Sequence, residues 1–548
     1  MRIFLFSIVL IIIAGCANQV APSGGPKDIT PPTVLDYEPD SASVLFTAKT
    51  ISIKFDEYVI LNDVFNQISI SPPLNETPDY KLKGKTLTIS IKDTLKPETT
   101  YTINFGQAIK DNTAGNVKEN FTYVFSTGSY IDSLQVSGKV VDLLTAAPAT
   151  KAYVVLYYEP TDTSFTTTKP YYFAKTDVSG NFLINNIKSG SYKLYAIEDQ
   201  NFNYFYDLPN EKIAFQTSTL IIDSNITNQK LFLYSENKTK HNLLEAKSSR
   251  YGQTKLVFAT NTSDTKINYT GSDTAAYLFT RNITNDTILF WHTNYLLDTH
   301  QLAISFDTTL IEKIIETKEF PADSNFYKST NTFTKNVITL AQGNDPNSRS
   351  EWVPEKPIDL LFYNPVKTLT TNKITIYQDS IPLSDYTLNI DTLDSRKLRI
   401  NYNWKPEKNY TIIIPEKATI DIFGLHNIAD TIKLTVKKID AFASLSTTIK
   451  NTSGSPILFQ FMKSDLTVLD EFYLPTTKFE NADSTYIVKQ LYVIPGVYKI
   501  RAILDTDKNG KWSPGDLSQN RPPESVIFFP VDQNLRANWE NEIEWHLK

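Results

Sequence analysis

The densest run of oxygen-bearing side chains in the sequence is Asp505-x-Asp507-x-Asn509-Gly510-Lys511-x-x-x-x-Asp516. Calcium takes six to eight hard oxygen ligands, and a short loop can supply them when acids alternate around a glycine turn. Asp505, Asp507 and Asn509 stand at the first, third and fifth places of such a loop. Gly510 stands at the turn, Lys511 offers a backbone carbonyl, and Asp516 closes the run. Two features depart from the pattern. The closing acid is Asp rather than the longer Glu, and a strand rather than a helix leads into the loop. A solvated Asp/Asn turn between strands would carry the same letters, so both readings stand. A weaker echo, Asp199-x-Asn201-x-Asn203-Tyr204-x-x-Asp207, lacks the glycine.

The other residue with a definite chemistry is Cys16, the single cysteine in 548 residues. Met1-Arg2 supplies one positive charge, and Ile3 to Ala14 is almost wholly apolar. That run falls short of the roughly 20 apolar residues that span a bilayer and suits the apolar region of a signal peptide. It ends Ile13-Ala14-Gly15-Cys16. These residues resemble the lipobox of bacterial lipoproteins. The resemblance implies cleavage before Cys16, a covalent diacylglycerol on its sulfur, and an anchor of two or three acyl chains, which holds where one chain binds only marginally. With Cys16 lipidated, no thiol remains for nucleophilic, redox or zinc chemistry.

Enzymatic motifs are missing. No pair among His241, His292, His300, His426 and His546 has zinc-motif spacing, and no GxSxG, HExxH or phosphate-binding loop occurs. Adjacent acids such as Asp56-Glu57 point to opposite faces of a strand. A non-catalytic role is expected. The net charge of −6 argues against a nucleic-acid partner, which needs a basic face.

The elements that must position these residues are strands. Tyr and Phe number 30 and 31 while Met numbers 2, a balance that favours sheet over long helices. Ile51-Ser52-Ile53-Lys54-Phe55, Leu87 to Ile91, Tyr101 to Phe105 and Phe121 to Phe125 alternate apolar and polar, with turn residues between them. The expected architecture is all-β, a series of tandem β-sandwiches. Residues 1–15 form the signal peptide and 16–32 a lipidated tether. Sandwiches follow at 33–128 and 129–225, then a β-rich middle domain of unassigned type at 226–350, then sandwiches at 351–438 and 439–548. Only Thr309 to Thr317 carries a helical spacing.

The last two sandwiches repeat the first two. Trp404-Lys405-Pro406-Glu407-Lys408-Asn409-Tyr410-Thr411-Ile412 reprises Leu95-Lys96-Pro97-Glu98-Thr99-Thr100-Tyr101-Thr102-Ile103. Asp421-Ile422-Phe423-Gly424 echoes the turn from Asp111 to Gly115, and Gly496 to Asp505 reprises Gly190 to Asp199. The order is kept and the offset is nearly constant, as in a duplicated cassette.

Four pieces of the first unit, Ile53 to Glu57, Leu95 to Tyr101, Asp111 to Asn116 and Phe125-Ser126-Thr127, resemble the bacterial Ig-like domain of the S-layer SbsA type. The second unit, with Gly180-Asn181-Phe182 and Gly190-x-Tyr192-Lys193-Leu194, resembles the transthyretin-like (carboxypeptidase regulatory-like) sandwich. The stretch from Cys16 to Pro32 is similar to the start of Bacteroidota lipoproteins built this way. These resemblances imply spacing and binding rather than a reaction. The leading expectation is an outer-membrane lipoprotein that acts as an interaction subunit, its partner an integral outer-membrane barrel complex. The alternative is a glycan- or matrix-binding surface adhesin. The first acid after Cys16 is Asp28, so both the periplasmic and the cell-surface face stay open.

Overall fold

The computed structural model describes residues 28–548, apart from 120, 159–163, 202, 237–241, 251, 260–261, 263–264, 270–276, 283–285, 294–298, 307–308, 317–330, 337–350 and 477–483. Cys16, the signal segment and most of the tether lie outside the described residues. Residues up to Ser235, with Asp516–Pro522, make one compact unit, and the remainder makes a second.

The first unit holds two sandwiches. In the first, Val34–Glu38, Thr50–Phe55, Thr86–Ser90 and Asp79–Lys83 form one sheet in that spatial order. Ser69–Ser71, Thr100–Asn104 and Thr122–Ser126 form the facing sheet. Alternation decides which side chains meet between them. Ile51, Ile53 and Phe55 point inward with Leu87, Ile89, Ile103 and Tyr123, while the residues between them face out. Each such buried side chain contributes roughly 1.5–3 kcal/mol of transfer free energy.

The second sandwich is centred on Leu134–Asp142, which pairs antiparallel with Asn181–Ile187 and parallel with Ile226–Leu233. Its other sheet runs Tyr172–Lys175, Tyr153–Tyr158, Gly190–Ile197, Ile213–Phe215, and Leu220–Ile222 also pairs with Gly190–Ile197. The parallel strand Ile226–Leu233 carries this sandwich past the boundary expected at residue 225.

In the second unit the middle domain is also built from two sheets. Leu243–Arg250, Gln253–Phe258, Thr287–His292 and Tyr277–Arg281 make one, and Lys266–Tyr269, Thr299–Phe306 and Thr309–Glu316 the other. They close on Leu256, Phe258, Ile288, Phe290, Leu302 and Ile304. The segment with helical spacing is therefore an edge strand, paired along its length with Thr299–Phe306. Its Ile311 packs on the core, while Leu310 and Ile314 are exposed on the opposite face. Apolar residues on both faces of an edge strand mimic an i, i+1, i+4 helix pattern, and tertiary pairing overrode it.

The fourth and fifth sandwiches reproduce the first and second. In the fifth, Ala443–Asn451 pairs antiparallel with Ser484–Val493 and parallel with Glu540–Leu547, as Leu134–Asp142 does with its neighbours. In the fourth, Phe333–Asn336, Ile358–Phe362, Lys397–Asn401 and Thr387–Ile390 follow the strand order of the first. Phe333–Asn336 thus joins the fourth sandwich from within the stretch read as the middle domain.

The repeated sequence motifs have structural causes. The Tyr101 hydroxyl accepts the backbone N–H of Lys96 at 2.8 Å, and the Tyr410 hydroxyl accepts that of Lys405 at 2.8 Å. Each is a tyrosine corner, in which a buried ring at a strand start pins the incoming chain. Between them Glu98 and Glu407 adopt left-handed φ of 47° and 61°. Asp111 and Asp421, both fully buried, turn their carboxylates onto the backbone N–H groups of the turns that follow.

Candidate functional site

Acids converge at two places. Near the start of the first sandwich, carboxylate oxygens of Asp28, Glu57 and Asp111 lie within 4.8 Å of one another. Asp111 is committed to the fold. Its Oδ1 accepts the N–H groups of Thr113, Ala114 and Gly115, and its Oδ2 that of Asn116. Burial raises its pKa, but these four donors outweigh burial and hold it at about 2. Glu57 is pushed upward by burial and then by the charges of Asp111, Asp56 and Asp28. Asp56 is turned away to Thr33, whose backbone N–H it accepts at 2.8 Å, so the neighbouring acids do separate.

The second group lies in the fifth sandwich. It contains Asp505 and Asp507, as the sequence spacing implied, and its third member is Glu524. Asp505 directly follows the strand Gly496–Leu504 and is fully buried. Its Oδ1 accepts Asn509 N at 3.0 Å and its Oδ2 accepts Gly510 N at 2.9 Å. Gly510 takes the left-handed φ of 74° that the turn requires. Asp507 Oδ2 accepts Asn509 Nδ2 at 2.9 Å and the Ser513 hydroxyl at 2.6 Å. Glu524, buried, receives Thr506 N at 2.6 Å on Oε1 and Ser513 N at 2.9 Å on Oε2. Lys511 donates its N–H to Asn509 Oδ1. Asp516 does not join this group. Its carboxylate accepts Ser518 Oγ and Gln519 N, bonds that lower its pKa, and its backbone pairs with Arg521 in a tight turn.

The echo in the second sandwich has the same scaffold. Asp199, buried, accepts Asn201 N on Oδ1 and Tyr204 N on Oδ2. Asn201 and Asn203 both donate their side-chain amides to Asp207. Glu211, fully buried, accepts Gln200 N on Oε1 and the N–H groups of Asp207 and Leu208 on Oε2. Glu211 and Glu524 are therefore counterparts. Both escaped the sequence reading because they lie beyond a twelve-residue loop. The signal was in the repeat: Glu211-Lys212-Ile213-Ala214-Phe215 lines up with Glu524-Ser525-Val526-Ile527-Phe528.

His292 and His300 are brought together in the middle domain, their ring centroids 3.9 Å apart and both rings buried. Tyr269 Oη lies 2.7 Å from His300 Nδ1. In the second sandwich the aromatic side chains of Tyr153, Tyr157, Tyr172, Phe173 and Tyr206 are buried.

The first two sandwiches meet along a polar seam. Thr100 Oγ1 donates to Asp132 Oδ2 at 2.9 Å, and Thr102 Oγ1 donates to Asn186 Oδ1 at 3.1 Å. Lys169 Nζ donates to the Leu74 carbonyl at 2.9 Å, and Phe173 N donates to Ser71 Oγ at 3.2 Å. Lys96 lies over the Tyr171 ring at 4.7 Å.

Residues 28–127 match the model of the bacterial Ig-like domain, and residues 139–213 match that of polysaccharide lyase family 4, domain II. The first two sandwiches are thus a bacterial Ig-like module and a fibronectin III-like module, the latter where the sequence resembled a transthyretin-like unit. No curated protein matches the chain. Among solved structures, the S-layer protein SbsC is similar at 11% identity over 87% of this chain and 64% of that one, with a TM-score of 0.13. A glucan-utilisation protein of Bacteroides ovatus, SGBP-B in complex with a mixed-linkage heptasaccharide, is similar at 10% identity over 74% of this chain and 91% of its own, with a TM-score of 0.17. The major pilin subunit BcpA of Bacillus cereus is similar at 8% identity over 76% and 99%, with a TM-score of 0.14. At these scores the likeness adds nothing to the fold already described. No helix among the described residues is long and apolar enough to cross a membrane.

Proposed function

We propose that this chain is a non-catalytic cell-envelope lipoprotein, held by lipid on Cys16, that works by binding, and that its target is a glycan or matrix at the cell surface. The observation that carries this reading is the polar seam of the first unit. Side-chain hydrogen bonds from both sandwiches fix one against the other, so they present a single preorganised surface rather than beads on a string. Preorganisation lowers the entropic cost of binding. The anchor adds effective concentration at the membrane.

A glycan array probed with the lipid-free full-length chain, run beside affinity capture from gently solubilised membranes, tests the reading. Saturable glycan retention is expected. Recovery of an integral outer-membrane barrel with no glycan retained would favour the role of barrel-complex accessory instead. Replacing Cys16 by Ser is expected to move the protein from the membrane to the soluble fraction.

Calcium at the loop of Asp505, Asp507 and Asn509, with the Lys511 carbonyl, belongs to the same reading as a clamp on the fold. Glu524 then takes the closing place foreseen for Asp516. The weaker loop of Asp199, Asn201, Asn203 and Asp207 is braced by its own amides. Three carboxylates within 4.8 Å repel one another, and a divalent cation relieves that repulsion. Melting with and without chelator decides, since an ion bound only by the folded state must raise Tm. An unchanged Tm removes calcium from the account.

A further inference from the structure

A cavity of about 290 Å³ opens at the seam of the first two sandwiches. The Ig-like module contributes Phe65 and Tyr80, and the second module contributes Tyr153, Lys169, Tyr204 and Phe205. Its walls are fixed from several directions. Lys169 reaches across the seam to the Leu74 carbonyl. The loop that follows is held where Asp93 Oδ2 accepts the backbone N–H groups of Asn75 and Glu76. Tyr204 is set at φ 66° by its N–H bond to Asp199, and its ring packs 5.3 Å from Tyr153 and 4.7 Å from Phe173. The left-handed turn at Tyr204 is costly for a residue with a side chain, and its effect is to aim an aromatic ring into the seam.

The lining combines ring faces with hydroxyl and amide groups. Burial pushes the phenols of Tyr80 and Tyr204 up to about 12, so both stay protonated donors at physiological pH. The one ammonium in the wall, Lys169, is engaged by a carbonyl, and Glu76 lies in the same lining. That balance disfavours an anionic ligand. A purely apolar ligand would cover the phenols of Tyr80 and Tyr204 without offering them a hydrogen-bond partner. A pyranose ring meets both requirements, since its C–H face lies against aromatic rings and its hydroxyls pair with phenols and amides.

We propose that this seam cavity is a subsite for one pyranose ring of a neutral glycan, with Phe65 and Tyr204 as its aromatic platforms. The inference rests on the glycan-binding reading and gives it a location. Affinity electrophoresis of the full-length chain in gels containing neutral β-glucan, α-mannan or xylan tests it. Phe65→Ala probes an exposed ring, and Tyr204→Phe removes only a hydroxyl. Retardation by at least one polysaccharide is expected, with affinity weakened about tenfold, or ~1.4 kcal/mol, in Phe65→Ala. A smaller loss is expected in Tyr204→Phe. Unchanged melting of both variants confirms that the fold is intact. Retardation equal in wild type and both variants overturns the cavity assignment while leaving glycan binding in place. No retardation in any gel overturns both. Capture of a peptide that Phe65→Ala releases would reassign the cavity to a protein partner and overturn the saccharide.

Discussion

Tyr101 and Tyr410 show how a repeated word in the sequence becomes a repeated contact. Each hydroxyl accepts a backbone N–H that the turn would otherwise leave without a partner. Tyr101→Phe and Tyr410→Phe are each expected to cost about 1 kcal/mol, read as a lower urea midpoint for the sandwich concerned with its slope unchanged. Asp111 sets an acid limit on the first sandwich. Its folded pKa, about 2, lies below the ordinary Asp value of about 3.9, so its contribution is fully present above the latter and is lost as pH falls through the former. Urea unfolding followed from about pH 5 to about pH 2 is expected to show that loss, and Asp111→Asn is expected to flatten it. The spacing of acids found Asp505, Asp507 and their loop, because Asx turns are local chemistry. It could not find Glu524, or the contact of His292 with His300, because folding rather than spacing brings those residues together.

At the scale of elements, alternation revealed the strands of the first sandwich, where one face is buried and the other wet. The parallel closing strand Ile226–Leu233 is separated from its partner Leu134–Asp142 by most of the domain, so no local pattern linked the two. The same holds for Phe333–Asn336. It pairs with Ile358–Phe362, and the neighbouring Asn331, fully buried, exchanges hydrogen bonds with Asn364. A fragment of residues 331–438 is therefore expected to unfold cooperatively. A fragment of residues 351–438, stripped of that strand, is expected to lose at least half of its denaturant midpoint or to be unfolded by circular dichroism. Equal stability of the two would show that the strand is dispensable.

For the whole molecule, duplication preserved folds but not seams. The fourth and fifth sandwiches meet through Val353 and Phe442, with Tyr492 packed beside them, where the first and second meet through Thr100, Asp132 and Asn186. The aromatic cavity described above lies between the first and second sandwiches, so the two copies are not expected to bind alike. The sequence made the cassette and the sandwich class legible, because these are written in local residue types. A surface shared by two domains is written in neither alone. The most direct measurement is saturation binding of the lipid-free full-length chain across a panel of neutral and charged glycans. Saturable binding to at least one neutral glycan, competed by its free oligosaccharide, is expected. Absence of binding to every glycan, with an outer-membrane barrel recovered in capture from membranes, would contradict the account.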